Sequence, residues 1–234
     1  MPPVLSRACL TGLLVIAVAS QAFAAPKAAT YELPQGISAA EVIDGYLNNY
    51  QIGKSPPSSN KYPLLYGEPG PFIEVTPGNM NNKVSPHFTL GQFLCKQEAD
   101  FPKYIVLQQP LLVLLEGLIG AVRAAGYPVE TFGVISGYRT PYYNKRIGNV
   151  PNSRHIYGDA MDFFIDLDGD GRMDDLNGDG KNNRADVDIL FEIVKAFKRR
   201  PENSDLVGGV GRYYQASHHG GFIHVDTRGY KARW

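Results

Sequence analysis

The sequence predicts an α+β domain, in which a small, mostly antiparallel sheet packs with helices. Patterns typical of helices and strands come in runs along the 234 residues and do not alternate regularly, which argues against a doubly wound parallel sheet. The length fits one domain of ordinary size with an N-terminal extension, long enough to bury a core without disulfide bonds. We expect three parts: residues 1–24, 25–84 and 85–234.

Residues 1–24 are typical of a secretory signal peptide. Arg7 precedes an apolar run at 10–19, and the small-x-small motif Ala-Phe-Ala at 22–24 is typical of a cleavage site. The alternative, a membrane anchor, needs an apolar run of ~20 residues, and this one is shorter. We therefore expect an exported protein, in the periplasm or cell envelope or secreted, with no stable membrane span once the signal is cleaved.

Charge and cysteine content exclude several classes of protein. The whole sequence has 23 basic and 23 acidic residues, and removal of Arg7 with the signal leaves 22 basic residues against 23 acidic ones. Such a balance argues against nucleic acid as a partner. Cys9 leaves with the signal, so Cys95 forms no intrachain disulfide and no cysteine pair exists for a structural zinc site. Its apolar neighbours predict that Cys95 is a buried thiol.

Residues 25–84 are rich in Pro, Gly, Ser and Asn, which is typical of a linker or of an extension wrapped on the surface. One helix is predicted in this part, from Ser38 to Tyr50, because Ser38 and Glu41 form a capping box before an apolar stripe.

Three further helices are expected after residue 85. A second capping box, Thr89 with Gln92, opens a short one. A longer apolar helix covers about 109–125 and includes charged residues, which is typical of a core helix and not of a membrane span. Asp186 is predicted to cap the third, which has basic residues near its C-terminus and Pro201 beyond it.

Three short apolar runs predict strands, at residues 132–136, 160–166 and 221–227. Side chains two apart on a strand point the same way. His224 and Asp226 are therefore expected to face one cleft together.

The stretch SRHIYGDAMD, residues 153–162, predicts a metal clip. On a continuous helix, His155 and Asp162 would lie ~10 Å apart along the axis, too far for two ligands each ~2 Å from one metal. Gly158 supplies a turn, after which the next strand carries Asp162 back towards the imidazole; the alternative is a structural hydrogen-bonded pair. With His224 as third ligand, two His and one Asp form the open ligand set of a catalytic zinc site.

A second metal signature occupies residues 166–186, where two overlapping EF-hand-like patterns alternate oxygen donors along glycine-bearing turns. Such donors suit calcium in a structural role, and the alternative is a solvated acidic loop. The first pattern is expected to bind more weakly, because Asn177 stands where a bidentate carboxylate belongs. The candidate calcium ligands are Asp166, Asp168, Asp170, Asp174, Asp175, Asn177, Asp179, Asn183 and Asp186.

The motif SGYRTPYYN at 136–144, followed by SRHIYGDAMD and then FIHVD, resembles the zinc D-alanyl-D-alanine carboxypeptidase family. These are peptidoglycan-cleaving peptidases whose fold is shared with the hedgehog signalling domain, and the similarity runs from about Ser85 to residue 234. It implies that His155, Asp162 and His224 hold zinc. It also implies that Arg139 binds a substrate carbonyl or carboxylate, for which a guanidinium offers fixed donors; the alternative is a surface salt bridge. The same motifs supply further substrate-binding candidates: Ser136, Tyr138 and Ser153.

The sequence departs from the family at the general base. Many members carry an acidic residue three positions before the last zinc histidine, where this chain has Gly221. Asp226 lies on the expected face, and His219 matches a position where several relatives keep a histidine near the metal. Either could handle a proton, and Asp226 is equally suited to orienting a ligand.

The resemblance implies a zinc-dependent peptidase of the cell envelope that hydrolyses an amide bond in peptidoglycan peptides, of the D,D or L,D type. Two alternatives stay open: a non-catalytic envelope-binding module that keeps the fold and metal, and a calcium-stabilised structural protein. The bond that is cut, the role of residues 25–84 and the oligomeric state are not fixed by the sequence.

Overall fold

The computed structural model describes residues 30–37, 49–54 and 70–234. The predicted signal peptide and positions 38–48 of the predicted helix from Ser38 to Tyr50 lie outside the described residues. The α-helices are α1 (Gln109–Ala124), α2 (Pro141–Arg146) and α3 (Arg184–Arg199), and 3-10 helices cover Leu90–Phe93, Arg154–Tyr157 and Pro201–Leu206. The strands are β1 (Ile73–Val75), β2 (Lys83–Ser85), β3 (Phe88–Thr89), β4 (Lys103–Ile105), β5 (Gly133–Ser136), β6 (Ala160–Phe164), β7 (Gly209–Tyr213), β8 (Phe222–Asp226) and β9 (Ala232–Arg233).

The main sheet has five strands in the order β5-β6-β8-β7-β9, and all neighbours are antiparallel except β7 and β9. Two small antiparallel pairs, β1 with β4 and β2 with β3, complete the strand set. The α+β class is thus confirmed. All three predicted strands belong to the main sheet, and the two that carry predicted site residues, β6 and β8, are neighbours.

The three helices predicted after residue 85 are present, the short one as a 3-10 helix, with one change at a helix start. Thr89 and Gln92 form the expected box, with the Thr89 N–H donating to Gln92 Oε1 at 2.9 Å. The third helix begins at Arg184 and its N-cap is Asn183, not Asp186. Asp186 is the third residue of the helix and its Oδ2 accepts the Asn183 N–H at 2.7 Å, because a capping box places the acid three positions after the cap.

The core lies between α1, α3 and the main sheet. The amphipathic stripe of α3 packs against α1 and against β7. Across the sheet, the rings of Phe132 and Phe163 stack at 4.4 Å, and each fully buried ring of this kind contributes about 1.5–3 kcal/mol of burial free energy. Within the described part of the chain, no helix is both long and apolar enough to cross a membrane.

The described parts of the predicted extension pack into the fold. Tyr50 is fully buried and its hydroxyl donates to the Tyr104 carbonyl at 2.6 Å. Strand β1 pairs along its whole length with β4. Residues 49–54 and 70–84 therefore contribute to the core, although their composition alone indicates a linker or a surface wrap.

Candidate active site

The predicted metal ligands come together. Asp162 lies on β6 directly opposite His224 on β8, and the 3-10 helix at 154–157 brings His155 against both. Asp162 Oδ1 is 2.7 Å from His224 Nδ1 and 3.2 Å from His155 Nε2, while the two nitrogens are 3.3 Å apart. All three residues are buried. The structure thus supports one shared ligand set. The predicted turn between His155 and Asp162 is what allows both residues to contribute to it.

Gly158 makes that turn. Its φ of 70° is in the left-handed region, which glycine adopts without strain. A Cβ at this position would also lie 2.2 Å from the Val106 carbonyl oxygen. Both the conformation and the space therefore require glycine between the two ligands.

The outer nitrogens of both histidines are held by oxygen atoms. His155 Nδ1 is 2.6 Å from the Gly137 carbonyl oxygen, and His224 Nε2 is 3.0 Å from Asp226 Oδ2. Such partners orient metal-binding imidazoles and fix which nitrogen faces the ion. Here the inward atoms are His155 Nε2 and His224 Nδ1, and with Asp162 Oδ1 they form an N,N,O set that suits zinc.

Charges around the cluster keep the carboxylates ionised. Burial acts to raise the pKa of the Asp162 carboxyl, but the charges and hydrogen bonds of His155 and His224 outweigh it and hold that pKa well below its usual range. Burial lowers the pKa of His155. For His224, burial acts in the same direction, but hydrogen bonds to Asp162 and Asp226 prevail and raise its pKa.

Arg139 is buried beside the cluster, which is inconsistent with a surface salt bridge. Its Nη2 donates to Asp162 Oδ2 at 2.6 Å, and its Nε donates to Ser136 Oγ at 2.8 Å. Ser136 lies opposite Asp162 across β5 and β6. Arg139 therefore holds the Asp162 oxygen that is not in contact with the histidines, and it also lines the cleft beside the cluster.

The cluster lies on a cleft of about 370 Å³. Its polar side includes Arg139 and Ser153, two predicted substrate-binding residues. Its lining also includes the aromatic residues Tyr213, Phe222 and Trp234, which the sequence did not predict. The lining residues are Arg139, Asn149, Val150, Asn152, Ser153, Arg154, His155, Asp162, Tyr213, Phe222, His224, Arg228 and Trp234.

Tyr138 does not reach this cleft, contrary to the prediction that it binds substrate. It is 1 % exposed and its ring packs edge-on against Phe72 at 6.4 Å. Burial raises the pKa of its hydroxyl. Strand β5 ends at Ser136, and beyond it the side chain of Tyr138 packs into the core.

The two candidates for the proton-handling role are placed differently from each other. Asp226 is fully buried, and its Oδ1 accepts the Gly209 N–H at 2.8 Å and the Arg228 Nε–H at 2.8 Å. Burial acts to raise the pKa of the Asp226 carboxyl, but bonds from His224 and Arg228 prevail and hold it well below its usual range. This geometry matches a residue that orients His224.

His219 lines a second cavity of about 530 Å³, beside Arg172 and Gln215, and its Nδ1 is 2.7 Å from the Gly220 carbonyl oxygen. The structure therefore does not bring His219 to the His-Asp-His cluster. Its position in the loop between β7 and β8 turns it towards the acidic loop instead.

Gly221 leaves no room for the acidic residue that many family members carry. A Cβ there would lie 2.4 Å from Cγ2 of Val187, which is buried on α3. The absence of a carboxylate at this position is thus built into the packing of α3 against β8.

In the acidic loop, the structure brings together carboxylate oxygens of Asp166, Asp168 and Asp174 within 4.8 Å. These belong to the pattern that the sequence ranked as weaker. Burial and the neighbouring carboxylates raise the pKa of Asp174, against a hydrogen bond from the Leu167 N–H. Asp170 accepts the Arg172 N–H at 2.8 Å.

In the second EF-hand-like pattern, the candidate ligand oxygens accept hydrogen bonds from within the loop itself. Asp175 accepts backbone N–H groups of residues 178–180. The side-chain amides of Asn177 and Asn183 donate to Asp179. Asp186 is fully buried and both its oxygens accept backbone N–H groups, at Leu176 and Asn183. Backbone capping therefore occupies the Asp186 oxygens that an ion would need.

The fold and site together give an α+β domain in which a buried His-Asp-His cluster, a donor set that could hold a metal ion, lines a cleft. Residues 86–173 match the model of the Peptidase M15 family, which confirms the resemblance to zinc D-Ala-D-Ala carboxypeptidase-like proteins and supports a peptidase acting on peptides. The matched stretch contains Arg139, His155 and Asp162, and His224 lies beyond it. No curated protein and no solved structure matches the chain.

Proposed function

We propose that the protein is an exported zinc peptidase of the cell envelope that hydrolyses an amide bond in peptidoglycan peptides. One observation carries the proposal: His155 Nε2, Asp162 Oδ1 and His224 Nδ1 converge within 3.3 Å at the floor of a cleft. Three such donors leave one coordination position open, as in catalytic zinc sites.

A zinc ion held by these three residues would supply Lewis-acid chemistry, polarising a carbonyl and acidifying water. The protein's own groups then bind and orient. Arg139 lines the cleft, its Nε and Nη2 are engaged by Ser136 and Asp162, and its Nη1 has no hydrogen bond within the described part of the chain. That N–H is suited to a substrate carbonyl or carboxylate, whose developing negative charge it would stabilise.

A second candidate function, an envelope-binding module without turnover, is favoured by one specific feature. Within the described part of the chain, Asp162 is the only acid that lines the cleft, and it belongs to the candidate metal-ligand set. With Gly221 closed by Val187 and Asp226 engaged by Arg228, a separate carboxylate base is not presented to the cleft.

The test is mass spectrometry of soluble fragments released from purified peptidoglycan by residues 25–234. Four samples decide it: protein with zinc, protein with chelator, His155→Ala, and the control His218→Ala, which removes an exposed histidine outside the cleft. Zinc-dependent release that persists in His218→Ala and is lost in His155→Ala supports the enzyme, and the fragment masses name the bond. Full activity of His155→Ala would refute it, and bound zinc without release would favour the binding module.

We also propose a calcium ion bound in the acidic loop, supported by the convergence of Asp166, Asp168 and Asp174. Hard carboxylate donors on one tight turn suit calcium. Calorimetric titration with calcium should show binding that Asp168→Asn weakens and Asp205→Asn, an exposed acid on the 3-10 helix after α3, leaves unchanged. Calcium bound without any zinc would support the alternative of a calcium-stabilised structural protein.

A further inference from the structure

The cleft lining includes three aromatic residues, Tyr213, Phe222 and Trp234, which together we call the aromatic wall. The rings of Tyr213 and Phe222 stack at 4.6 Å with 10° between their planes. The Trp234 indole N–H donates to the Tyr213 hydroxyl at 2.6 Å. The three rings therefore brace one another into one fixed surface.

Two glycines on β7 make room for the indole. A Cβ at Gly211 would lie 2.5 Å from Trp234 Nε1, and a Cβ at Gly209 would lie 3.1 Å from its Cη2. Strand β9 pairs with β7 and delivers Trp234 onto that bare stretch of strand. The indole can thus lie against the backbone next to the metal-ligand cluster.

The position of Trp234 suits contact with a bound molecule. Its ring centroid is 5.2 Å from that of His224, yet the residue remains 47 % exposed. A braced, half-exposed indole has little freedom left to lose when something covers it, so burial of its open part favours binding.

We propose that the aromatic wall, with Trp234 at the end beside His224, binds an extended aliphatic side chain of a substrate residue no more than one position removed from the scissile bond, and so determines specificity. This rests on the proposed peptidase function. A substrate carbonyl placed at the His-Asp-His cluster and near Arg139 has its neighbouring side chain within reach of the wall, because His224 contacts both regions. The Arg228 guanidinium lies 5.2 Å from the centroid of the Trp234 ring, and a polar or absent substrate side chain would leave the remaining open part of the indole exposed to water.

A purely structural role for Trp234 is the competing explanation, since aromatic rings commonly cover glycines on strands. The two roles predict different results. If the ring is only structural, its loss lowers thermal stability and changes kcat/KM by the same factor for all substrates. If the ring determines specificity, its loss changes the ratio of kcat/KM between substrates.

Trp234 is the single tryptophan of the chain, so binding can be measured directly from its fluorescence in the inactive His155→Ala variant. The probes are acetyl-Lys-D-Ala-D-Ala and acetyl-Gly-D-Ala-D-Ala, which differ by an aliphatic stem. We expect a saturable emission change with the lysine peptide and about tenfold weaker binding of the glycine peptide. Equal binding of the two peptides, or binding without any emission change, would overturn the proposal.

Kinetics with the zinc-loaded enzyme complete the test. The ratio of kcat/KM for the lysine and glycine peptides should fall from about ten towards one in Trp234→Ala and stay high in Trp234→Phe, which keeps a ring. Ile147→Ala, which truncates an equally exposed side chain outside the cleft lining, should keep the wild-type ratio. An unchanged ratio in a folded Trp234→Ala would refute the wall's role while hydrolysis upholds the peptidase. Discriminating binding without hydrolysis of either peptide would uphold the wall and refute the peptidase.

Discussion

His224 Nε2 lies 3.0 Å from Asp226 Oδ2, and this contact connects the candidate metal site to a buried ion pair. Arg228 donates to both oxygens of the same carboxylate, and the Gly209 N–H donates to one of them. The Asp226 carboxylate is therefore held in place by Arg228 and Gly209 independently of its contact with the imidazole. The consequence is that Nδ1 of His224, and not Nε2, faces Asp162.

This relationship predicts that Asp226→Asn weakens zinc binding by about 10–100-fold, the usual effect of losing such an orienting partner. Competition with a colorimetric chelator measures the affinity, and Asp205→Asn serves as the control at an exposed acid. Wild-type zinc affinity combined with lost turnover would instead assign Asp226 the proton-handling role.

Cobalt(II) is predicted to quench the fluorescence of Trp234, because the indole is 5.2 Å from the His224 ring and a paramagnetic ion at such short range deactivates the excited indole. Zinc added first should prevent the quenching. With cobalt added, the fluorescence of His218→Ala should be quenched as in wild type, whereas that of Asp162→Asn should not be quenched. Equal quenching in Asp162→Asn would place the cobalt elsewhere, and the cluster would lose this support.

Gly221→Ala is expected to destabilise the fold by about 1–3 kcal/mol, since its Cβ would lie 2.4 Å from Val187 Cγ2 and overpacking has this cost. Urea unfolding measures the change. In Gly221→Ala combined with Val187→Ala, the loss should be smaller than the sum of the two single losses, with a coupling of about 1 kcal/mol. Simple additivity would mean that β8 shifts and accommodates the methyl group.

Because Lys198 is buried, we expect the free energy of unfolding to rise at alkaline pH. Burial lowers the pKa of its ammonium group to about 8 from the ordinary value of 10.5, even though its Nζ donates to the Asp226 carbonyl at 2.8 Å. Between these values the unfolded chain holds a proton that the folded chain has lost, so the free energy of unfolding increases with pH. From about pH 7.5 to about pH 9.5 the contribution is about 2 kcal/mol.

Lys198→Met keeps the apolar stem without a titrating group, and urea unfolding at both pH values should show that the variant lacks this rise relative to wild type. An identical pH dependence in the two proteins would show that the ammonium group is better solvated than its surroundings indicate.

The His-Asp-His cluster was accessible from the sequence because its determinants are local. A glycine turn fixes how His155 meets Asp162, and strand alternation fixes the face of His224. Tyr138 was placed wrongly because the chain leaves β5 there and the side chain turns into the core. His219 was a candidate from the family resemblance alone, and its loop between β7 and β8 places it at the second cavity.

The aromatic wall could not be foreseen because it depends on a parallel pairing of β9 with β7, a contact that no local pattern specifies. Its trace in the sequence was the Gly-Val-Gly run at 209–211 together with the single tryptophan. Likewise, composition described residues 70–84 as linker-like, since short strands interrupted by glycine and proline carry little periodic signal.

The buried Tyr50 has a consequence for how this protein can be divided. The family match covers residues 86–173, but the cooperative unit includes a tyrosine from before that segment and a histidine from after it. A chain cut at residue 85 would lose β1 and the ring that fills the space beside Tyr104. A fragment cut at the edges of the matched segment would therefore have an incomplete core and only two of the three candidate metal ligands. The unit that must be kept together for folding and metal binding is larger than the segment that matches the family.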